Sequence, residues 1–395
     1  MKHIYNISIW FSLAIIHLSK LFHKKARLWV EGRKNIFHKL KQSTKNKKDI
    51  VWFHCASLGE FEQGKPLIEY YKKQHPNHKI LLTFFSPSGF EVRKNYPIAD
   101  WVFYLPADTK NNAKRFIRTI KPLKVIFIKY EFWFNYMSEI KKANIPFYIV
   151  SAIFRKQQVF FKYNWFASQL RNVTHFFVQN SSSKNLLESI GINNVTISGD
   201  SRFDTVKTCA NNPEKFPLIF DFSQGLPTII FGSTWPKDEN LISKFIKQHS
   251  EYNYIIAPHE LKNINSLKKQ TGGLLYSKLK KETIGSSNTL IIDSIGMLSS
   301  IYQYGDITYI GGGFGKGIHN ILEPIAYGVP VVFGPNYSRF QEAHDLIALK
   351  TAVSINNYSE LVQAISYFDD YDSNISKNYI QENCGATEII IKNID

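Results

Sequence analysis

IVWFHCASLGE, residues 50–60, opens the pattern from which the rest of the chain is read. Ile50 to Cys55 form a short, β-rich apolar run, and Ser57-Leu58-Gly59-Glu60 behind it has the S-x-x-E form that starts a helix. Strand, turn and helix then recur. KILLTFF (79–85), WVFYL (101–105), VIFI (125–128), PFYIV (146–150), THFFV (174–178) and VTIS (195–198) are apolar runs separated by amphipathic stretches. That alternation predicts a parallel sheet wrapped by helices. A polar, proline-containing stretch at 205–227 interrupts it and reads as a linker. The pattern restarts with TIIFG (228–232), YNYIIAP (252–258), TLIID (289–293), ITYIGG (307–312) and VPVVFG (329–334). The expected fold class is α/β, with two doubly wound, Rossmann-like domains at 49–204 and 228–372 facing a cleft between the carboxyl ends of their sheets. A last helical stretch, 373–395, is able to pack back on the first domain.

The chain has 395 residues, enough for two cores, and its 44% apolar and 21% charged residues describe an ordinary globular protein. Cys55, Cys209 and Cys384 are too few and too far apart for a disulfide framework or a zinc cluster, so a reducing compartment is expected. Of the net charge of +17, residues 1–48 carry +11. This basic segment calls for an anionic partner, a nucleic acid or a phospholipid surface. Its neighbour favours the lipid. Ile4 to Ser19 contains no Lys, Arg, Asp or Glu and runs into Lys20, His23, Lys24, Lys25 and Arg27. The run is shorter than the ~20 residues that comfortably span a bilayer. It lacks a small-residue cleavage site, which argues against a cleaved signal peptide. Residues 1–20 are therefore expected to be a membrane anchor, spanning or lying in the interface, with 21–48 a basic membrane-proximal segment. The positive flank puts the rest of the chain on the cytoplasmic side. A buried helix of the first domain is the alternative.

Three segments carry candidate chemistry. Glu60 follows the carboxyl end of a strand, where open α/β sheets bind ligands, so its carboxylate can act as a general base as well as close a capping box. Glu131, in KYEFW after the strand VIFI, lies on the same edge, and paired acids can have their pKa values pushed apart. The run GGGFGKGIHNILEP, residues 311–324, places five glycines between a strand and a helix, a backbone anion site with Glu323 in reach of a ribose. GDSRFD (199–204) supplies Arg202 as a cation for a leaving phosphate, and FGSTW (231–235) ends another strand. Asp370-Tyr371-Asp372 has D-x-D form but no preceding apolar strand, and it reads as surface charge rather than a metal site.

Taken in order, RLWVEGRK (27–34), HCASLGE (54–60), LLTFFSPSG (81–89), YEFWFN (130–135), GDSRFD (199–204), FGSTW (231–235), APHE (257–260) and GIHNILEPIAYGVPVVFGP (317–335) resemble the Kdo (3-deoxy-D-manno-octulosonic acid) transferases of lipopolysaccharide synthesis. The resemblance covers nearly the whole chain. It implies an inverting, metal-independent glycosyltransferase of the GT-B type without a cofactor, on the cytoplasmic face of a Gram-negative inner membrane. The donor CMP-Kdo would bind the C-terminal domain, and the lipid A precursor the N-terminal one. Glu60 would be the proton acceptor, with Glu131 and Arg202 stabilising the transition state. CMP contacts would fall on His259 and Glu260, on Ile295, Gly296 and Met297, and on Asn320, Ile321, Leu322 and Glu323. The chain departs from the family's usual residues at Arg202 (Lys), at His259-Glu260 (Arg-His), at Met297 (Glu), and at Phe134 and Ile321 (Pro). Two alternatives remain at this stage. One is a GT-B enzyme for another nucleotide sugar, transferase or epimerase. The other is a basic membrane- or nucleic-acid-binding protein without chemistry, which paired strand-end carboxylates disfavour because they would repel a polyanion.

Overall fold

A computed structural model describes every residue except Tyr130, Asp369 and Asp395. The chain divides into two units: residues 1–205 with 384–395, and residues 206–383.

The first unit is built on seven parallel strands: β1 Ile50–Cys55, β2 Lys79–Phe84, β3 Trp101–Tyr104, β4 Lys124–Ile128, β5 Phe147–Ala152, β6 His175–Val178 and β7 Val195–Ile197. Their order in the sheet is β3-β2-β1-β4-β5-β6-β7. The apolar runs are continuous because both faces of the sheet are covered. Trp52, Leu81, Val125 and Phe127 face one buried layer, while Val51, Phe53, Leu82 and Ile126 face another. The C-terminal helix Ala386–Ile394 adds Ile390, Ile391 and Ile394 to the second layer. Asp204 starts that helix, its carboxylate accepting from the amides of Gly385 and Thr387 at 2.7 Å each.

The second unit repeats the plan with β8 Thr228–Thr234, β9 Asn253–Pro258, β10 Leu274–Leu275, β11 Thr289–Ile291, β12 Ile307–Ile310, β13 Val331–Phe333 and β14 Ala352–Ser354. Their order is β10-β11-β9-β8-β12-β13-β14, again all parallel. Two doubly wound α/β units are what the apolar alternation predicts. The stretch 205–227, read above as a linker, is largely helical instead. Helices Arg202–Asn211 and Pro217–Phe222 occupy it, and Phe216, Ile219 and Phe222 are buried. These three residues lie in KFPLIFDFS, a stretch too short to display helical spacing. The stretch 373–394 is two helices, Ser373–Asn383 and Ala386–Ile394, divided at Gly385, whose φ of 108° ordinary residues rarely adopt.

The N-terminal run forms a helix, Lys2–Ser19, none of whose residues is buried. One side is fastened to the first unit. The Tyr5 hydroxyl donates to Asp108 Oδ2 at 2.5 Å, and Asn135 Nδ2 donates to Asn6 Oδ1 at 3.0 Å. Burial raises the Asp108 carboxyl to about 6, against the hydrogen bonds from Tyr5, Asn135 and Tyr136 that favour its ionised form. Ile4, Ile7, Trp10, Phe11, Ile15 and Leu18 are exposed. Among the described residues no single helix is long and apolar enough to cross a membrane. Lys2–Ser19 and Lys24–Gly32 meet the length and composition together but are bent by 116°. The basic segment that follows is not uniformly a surface. Arg33 lies against Trp29, Phe85 and Tyr104 and donates to the carbonyls of Trp29, Phe85 and Leu105.

Candidate active site

In the first sheet the chain runs outward from β1 through β2 to β3, then returns to lay β4 beside β1. The crevice beyond the carboxyl ends of β1 and β4 is the switch point at which such sheets bind ligands. Glu60 follows β1 and Glu131 follows β4, so the two predicted carboxylates flank it.

Ser57 and Glu60 open the helix Leu58–Gln74, yet the Ser57 hydroxyl does not cap its backbone. It donates to Glu60 Oε2 instead. The half-buried carboxylate is thus oriented by a side chain, and the reciprocal capping box that the S-x-x-E spacing also allowed is not formed. Glu131 is 8% exposed and receives Trp133 Nε1 at 2.6 Å, with His54 Nε2 at 3.2 Å from the same oxygen. Lys129, two residues earlier, has a φ of 69°, and Ser151 near the end of β5 has 54°. Strained backbone of this kind is held in place by its surroundings and gathers where ligands are handled. Burial first, and then the charges of Glu60, Glu131 and Glu62, push the Cys55 thiol up, so both predicted carboxylates bear on one buried sulfur that stays protonated.

Arg202 opens the helix Arg202–Asn211, just past the loop after β7. Its Nε and Nη2 both lie 2.8 Å from Asp200 Oδ2, and its amide donates to Asp200 Oδ1 at 2.9 Å. The loop is tied to the helix Leu58–Gln74, which carries Glu60. Ser201 Oγ donates to the Gln63 carbonyl at 2.6 Å and lies 2.9 Å from Ser151 Oγ. Glu60 and Arg202, in the first turns of their helices, and Glu131, just after β4, therefore all lie at the carboxyl edge of one sheet.

In the second sheet the switch point falls between β8 and β12. Trp235 leaves β8 and the glycine run leaves β12. A Cβ on Gly311 would sit 2.4 Å from the Ser233 carbonyl oxygen, and one on Gly313 would sit 2.6 Å from Gly334, so only bare backbone fits. Asp238, almost fully buried, organises this corner. Its Oδ2 accepts from the amides of Trp235 and Gly312 at 2.9 and 3.0 Å, and its Oδ1 from the Tyr309 hydroxyl at 2.7 Å. Three rings line up nearby. Trp235 stacks on His259 at 4.6 Å, His259 meets His319 at 4.4 Å, and Trp235 Nε1 donates to His319 Nε2 at 2.9 Å. Burial, then the neighbouring His259, lowers His319 to about 4, so its ring is neutral.

The predicted nucleotide residues divide by what they can offer. His259 is exposed and held in the ring stack. Asn320 donates to Glu323 Oε1 at 3.0 Å and accepts from the Leu322 amide at 3.3 Å, which fixes the Glu323 carboxylate at the helix start. The side chains of Ile321 and Leu322 are fully buried, leaving only their backbone for a ligand. Glu260 is exposed and paired with Lys262, which holds its carboxyl below the usual range. Ile295 is 89% exposed, Gly296 has a φ of 97°, and Met297 Sδ accepts from Ser294 Oγ at 2.7 Å. Asp372 Oδ1 accepts from the Asn374 amide at the start of the helix Ser373–Asn383, a local structural bond. Among the described residues no three His, Cys, Asp or Glu side chains stand together as a metal site.

Sequence reasoning passed over His54, Trp133 and Asp238. His54 did leave a signal: it is an imidazole in an apolar strand, and buried polar groups need partners. Asp238, the third residue of its helix, also had a signal, because WPKD can be read as a helix start. Trp133 had none, since its role depends on the indole reaching back to Glu131.

Residues 31–205 match the family described as 3-deoxy-D-manno-octulosonic-acid transferase (Kdo transferase). Curated relatives extend the match beyond it. The 3-deoxy-D-manno-octulosonic acid transferase of Chlamydia muridarum is 25% identical over 362 residues, covering 87% of this chain and 83% of that one. The enzyme of the same name from Aquifex aeolicus is 27% identical over 333 residues, covering 82% and 88%. Among solved structures, the UDP-GlcNAc 2-epimerase of Neisseria meningitidis bound to UDP-GlcNAc has a TM-score of 0.61 at 16% identity, covering 87% of this chain and 99% of that one. MurG of Acinetobacter baumannii has a TM-score of 0.53 at 12% identity, covering 87% and 98%. Those likenesses establish the fold. With two doubly wound units, each bearing polar side chains at its switch point, the chain is a glycosyltransferase of the GT-B class. Within that class the chain is similar to the Kdo transferases, by its residues 31–205 and by its curated relatives.

Proposed function

We propose that this enzyme transfers Kdo from CMP-Kdo to a lipid A precursor, with inversion and without a metal, at the cytoplasmic face of the inner membrane. The observation that carries the reading is Glu60, a carboxylate at the β1 edge of the switch point, oriented by Ser57 rather than spent on capping. Glu60 takes the proton from a glucosamine hydroxyl as that oxygen attacks the anomeric carbon of Kdo. The bond to CMP breaks on the opposite face, and the electron pair leaves with the phosphate. CMP is a good leaving group, so the step makes no call on Lewis-acid help. Glu131 and Arg202 stabilise the oxocarbenium-like transition state and the departing charge. CMP is held at the β8–β12 switch point, by the bare amides of the glycine run, the Trp235–His259 stack and Glu323.

The membrane belongs to this reading. The helix Lys2–Ser19 is pinned to the first unit through Tyr5 and Asn6, while Ile4, Ile7, Trp10, Phe11, Ile15 and Leu18 are exposed. Leu21 and Phe22 continue the apolar surface, with Lys20, Lys24, Lys25 and Arg27 beside them. A helix held along a globular unit suits the interface rather than a span, with the cations on anionic headgroups.

Donor competition tests the function. The purified full chain, given a lipid A precursor, should release CMP and form a Kdo–lipid product from CMP-Kdo, and should leave UDP-N-acetylglucosamine unchanged. Turnover of the UDP-sugar with none of CMP-Kdo would replace the proposal with another nucleotide-sugar enzyme.

A further inference from the structure

His54 is the next-to-last residue of β1 and is completely buried, as is Thr83 opposite it on β2. An imidazole sealed in a parallel sheet must have both nitrogens satisfied, and its surroundings select how. Trp52 Nε1 can only donate, and it does so to Thr83 Oγ1 at 2.7 Å. The Thr83 hydroxyl lies 2.9 Å from His54 Nδ1. His54 Nε2 lies 3.2 Å from Glu131 Oε2, a carboxylate oxygen that also receives Trp133 Nε1 at 2.6 Å. One proton assignment makes every link of this chain favourable: Trp52 donates to Thr83, Thr83 to Nδ1, and Nε2–H to Glu131.

The other tautomer puts the proton on Nδ1, towards the Thr83 carbonyl 3.1 Å away. Nε2 could then accept from Trp133, whose Nε1 is 3.2 Å distant. That arrangement turns the Nε2 lone pair towards the Glu131 oxygen, on an imidazole that is itself fully buried. The Trp133 proton already has its shorter bond to Glu131.

We propose that His54 is a positioning residue for Glu131. Held as the Nε2–H tautomer by Thr83 and Trp52, it fixes Glu131 Oε2 from behind while Trp133 fixes it from the side, leaving Oε1 for the reacting sugar. The inference rests on the transfer role given to Glu131 above, and it reaches further by naming the buried relay that sets that carboxylate's orientation.

Two amide substitutions separate the nitrogens. In His54→Gln the side-chain amide reaches the place of Nε2 and can still donate to Glu131, whereas in His54→Asn it reaches only the place of Nδ1. Both leave a comparable defect in the core, so a merely structural His54 would give two variants of equal turnover per folded molecule. The expected result is that His54→Asn lowers kcat for Kdo transfer on the order of ten- to a hundredfold, by analogy with the outer-shell partners that orient metal ligands. KM for CMP-Kdo should be little changed, and His54→Gln should recover most of kcat. In a Glu131→Gln background the difference between the two variants should vanish, because the relay then has no carboxylate to hold. Equal kcat for His54→Asn and His54→Gln would overturn the proposal. Nitrogen NMR of the histidine-labelled full chain, with His54→Gln used for assignment, reads the tautomer without any assay. A proton on Nε2 supports the relay, and a proton on Nδ1 alone overturns it. Wild-type turnover in Glu131→Gln, with the Nε2–H tautomer present, would instead mean that the role given to Glu131 is wrong and the relay merely structural.

Discussion

His319 shows how far a residue's surroundings can depart from what its neighbours in sequence suggest. In GKGIHNILEP it reads as a loop histidine, yet it lies in a stack with His259 and Trp235 and accepts the indole proton. Its folded pKa of about 4 lies below the ordinary value of 6.5, so the unfolded chain binds its proton first as pH falls. The stability that His319 contributes is complete above about pH 6.5 and is lost as pH falls towards about 4. Melting curves at pH 7 and pH 5 should show His319→Gln losing less Tm than the wild type over that interval. Parallel losses in the two proteins would mean that the ring is not held neutral. Glu60, Glu131 and Arg202 were legible because each follows an apolar run, and the ends of such runs are where a parallel sheet binds. Their partners were less so. Asp200, two residues from Arg202, is visible in GDSRFD only as one more acid, and the folded loop turns it into the guanidinium's counter-ion.

At the scale of elements, alternating apolar runs were enough to locate strands, because a doubly covered parallel sheet leaves no polar face to confuse the pattern. The short edge strand Leu274–Leu275 escaped it, since two residues carry no periodicity. The helix Pro217–Phe222 was hidden for a similar reason, with too few turns to display a face. The N-terminal helix was visible as an uncharged run, but its length alone could not separate a span from an interfacial helix. The bonds from Tyr5 to Asp108 and from Asn135 to Asn6 support the interfacial helix proposed above. Removal of residues 1–20 should shift the protein from the membrane to the soluble fraction, measured by flotation with anionic vesicles, and leave its circular dichroism α/β in character. Unchanged flotation would show that the exposed apolar side of the helix is not what holds the membrane.

Over the whole molecule, two units repeat one plan, and each puts some of its candidate residues, Glu60 and Glu131 in the first and the glycine run in the second, at the point where strand order reverses. That repetition was readable from spacing alone, while the pairing of side chains inside each switch point was not, because it joins residues far apart in sequence. His54 and Glu131 are 77 positions apart, and Trp235 and His319 are 84. The proposed function rests on the first of these switch points, with Glu60 proposed as the proton acceptor. Glu60→Gln keeps the shape and the bond with Ser57 but removes the base. Losing a general base costs about 10²–10⁴-fold in rate, whereas losing a helix-capping contact costs about 1 kcal/mol of stability and leaves chemistry alone. The direct measurement is the rate of Kdo transfer from CMP-Kdo to a lipid A precursor by Glu60→Gln beside the wild type, with Tm and CMP affinity recorded for both. Near-native Tm, unchanged CMP affinity and transfer reduced at least a hundredfold, as for a lost base, are the expected results. Transfer at close to the wild-type rate would contradict the assignment and leave Glu60 a residue of the helix start.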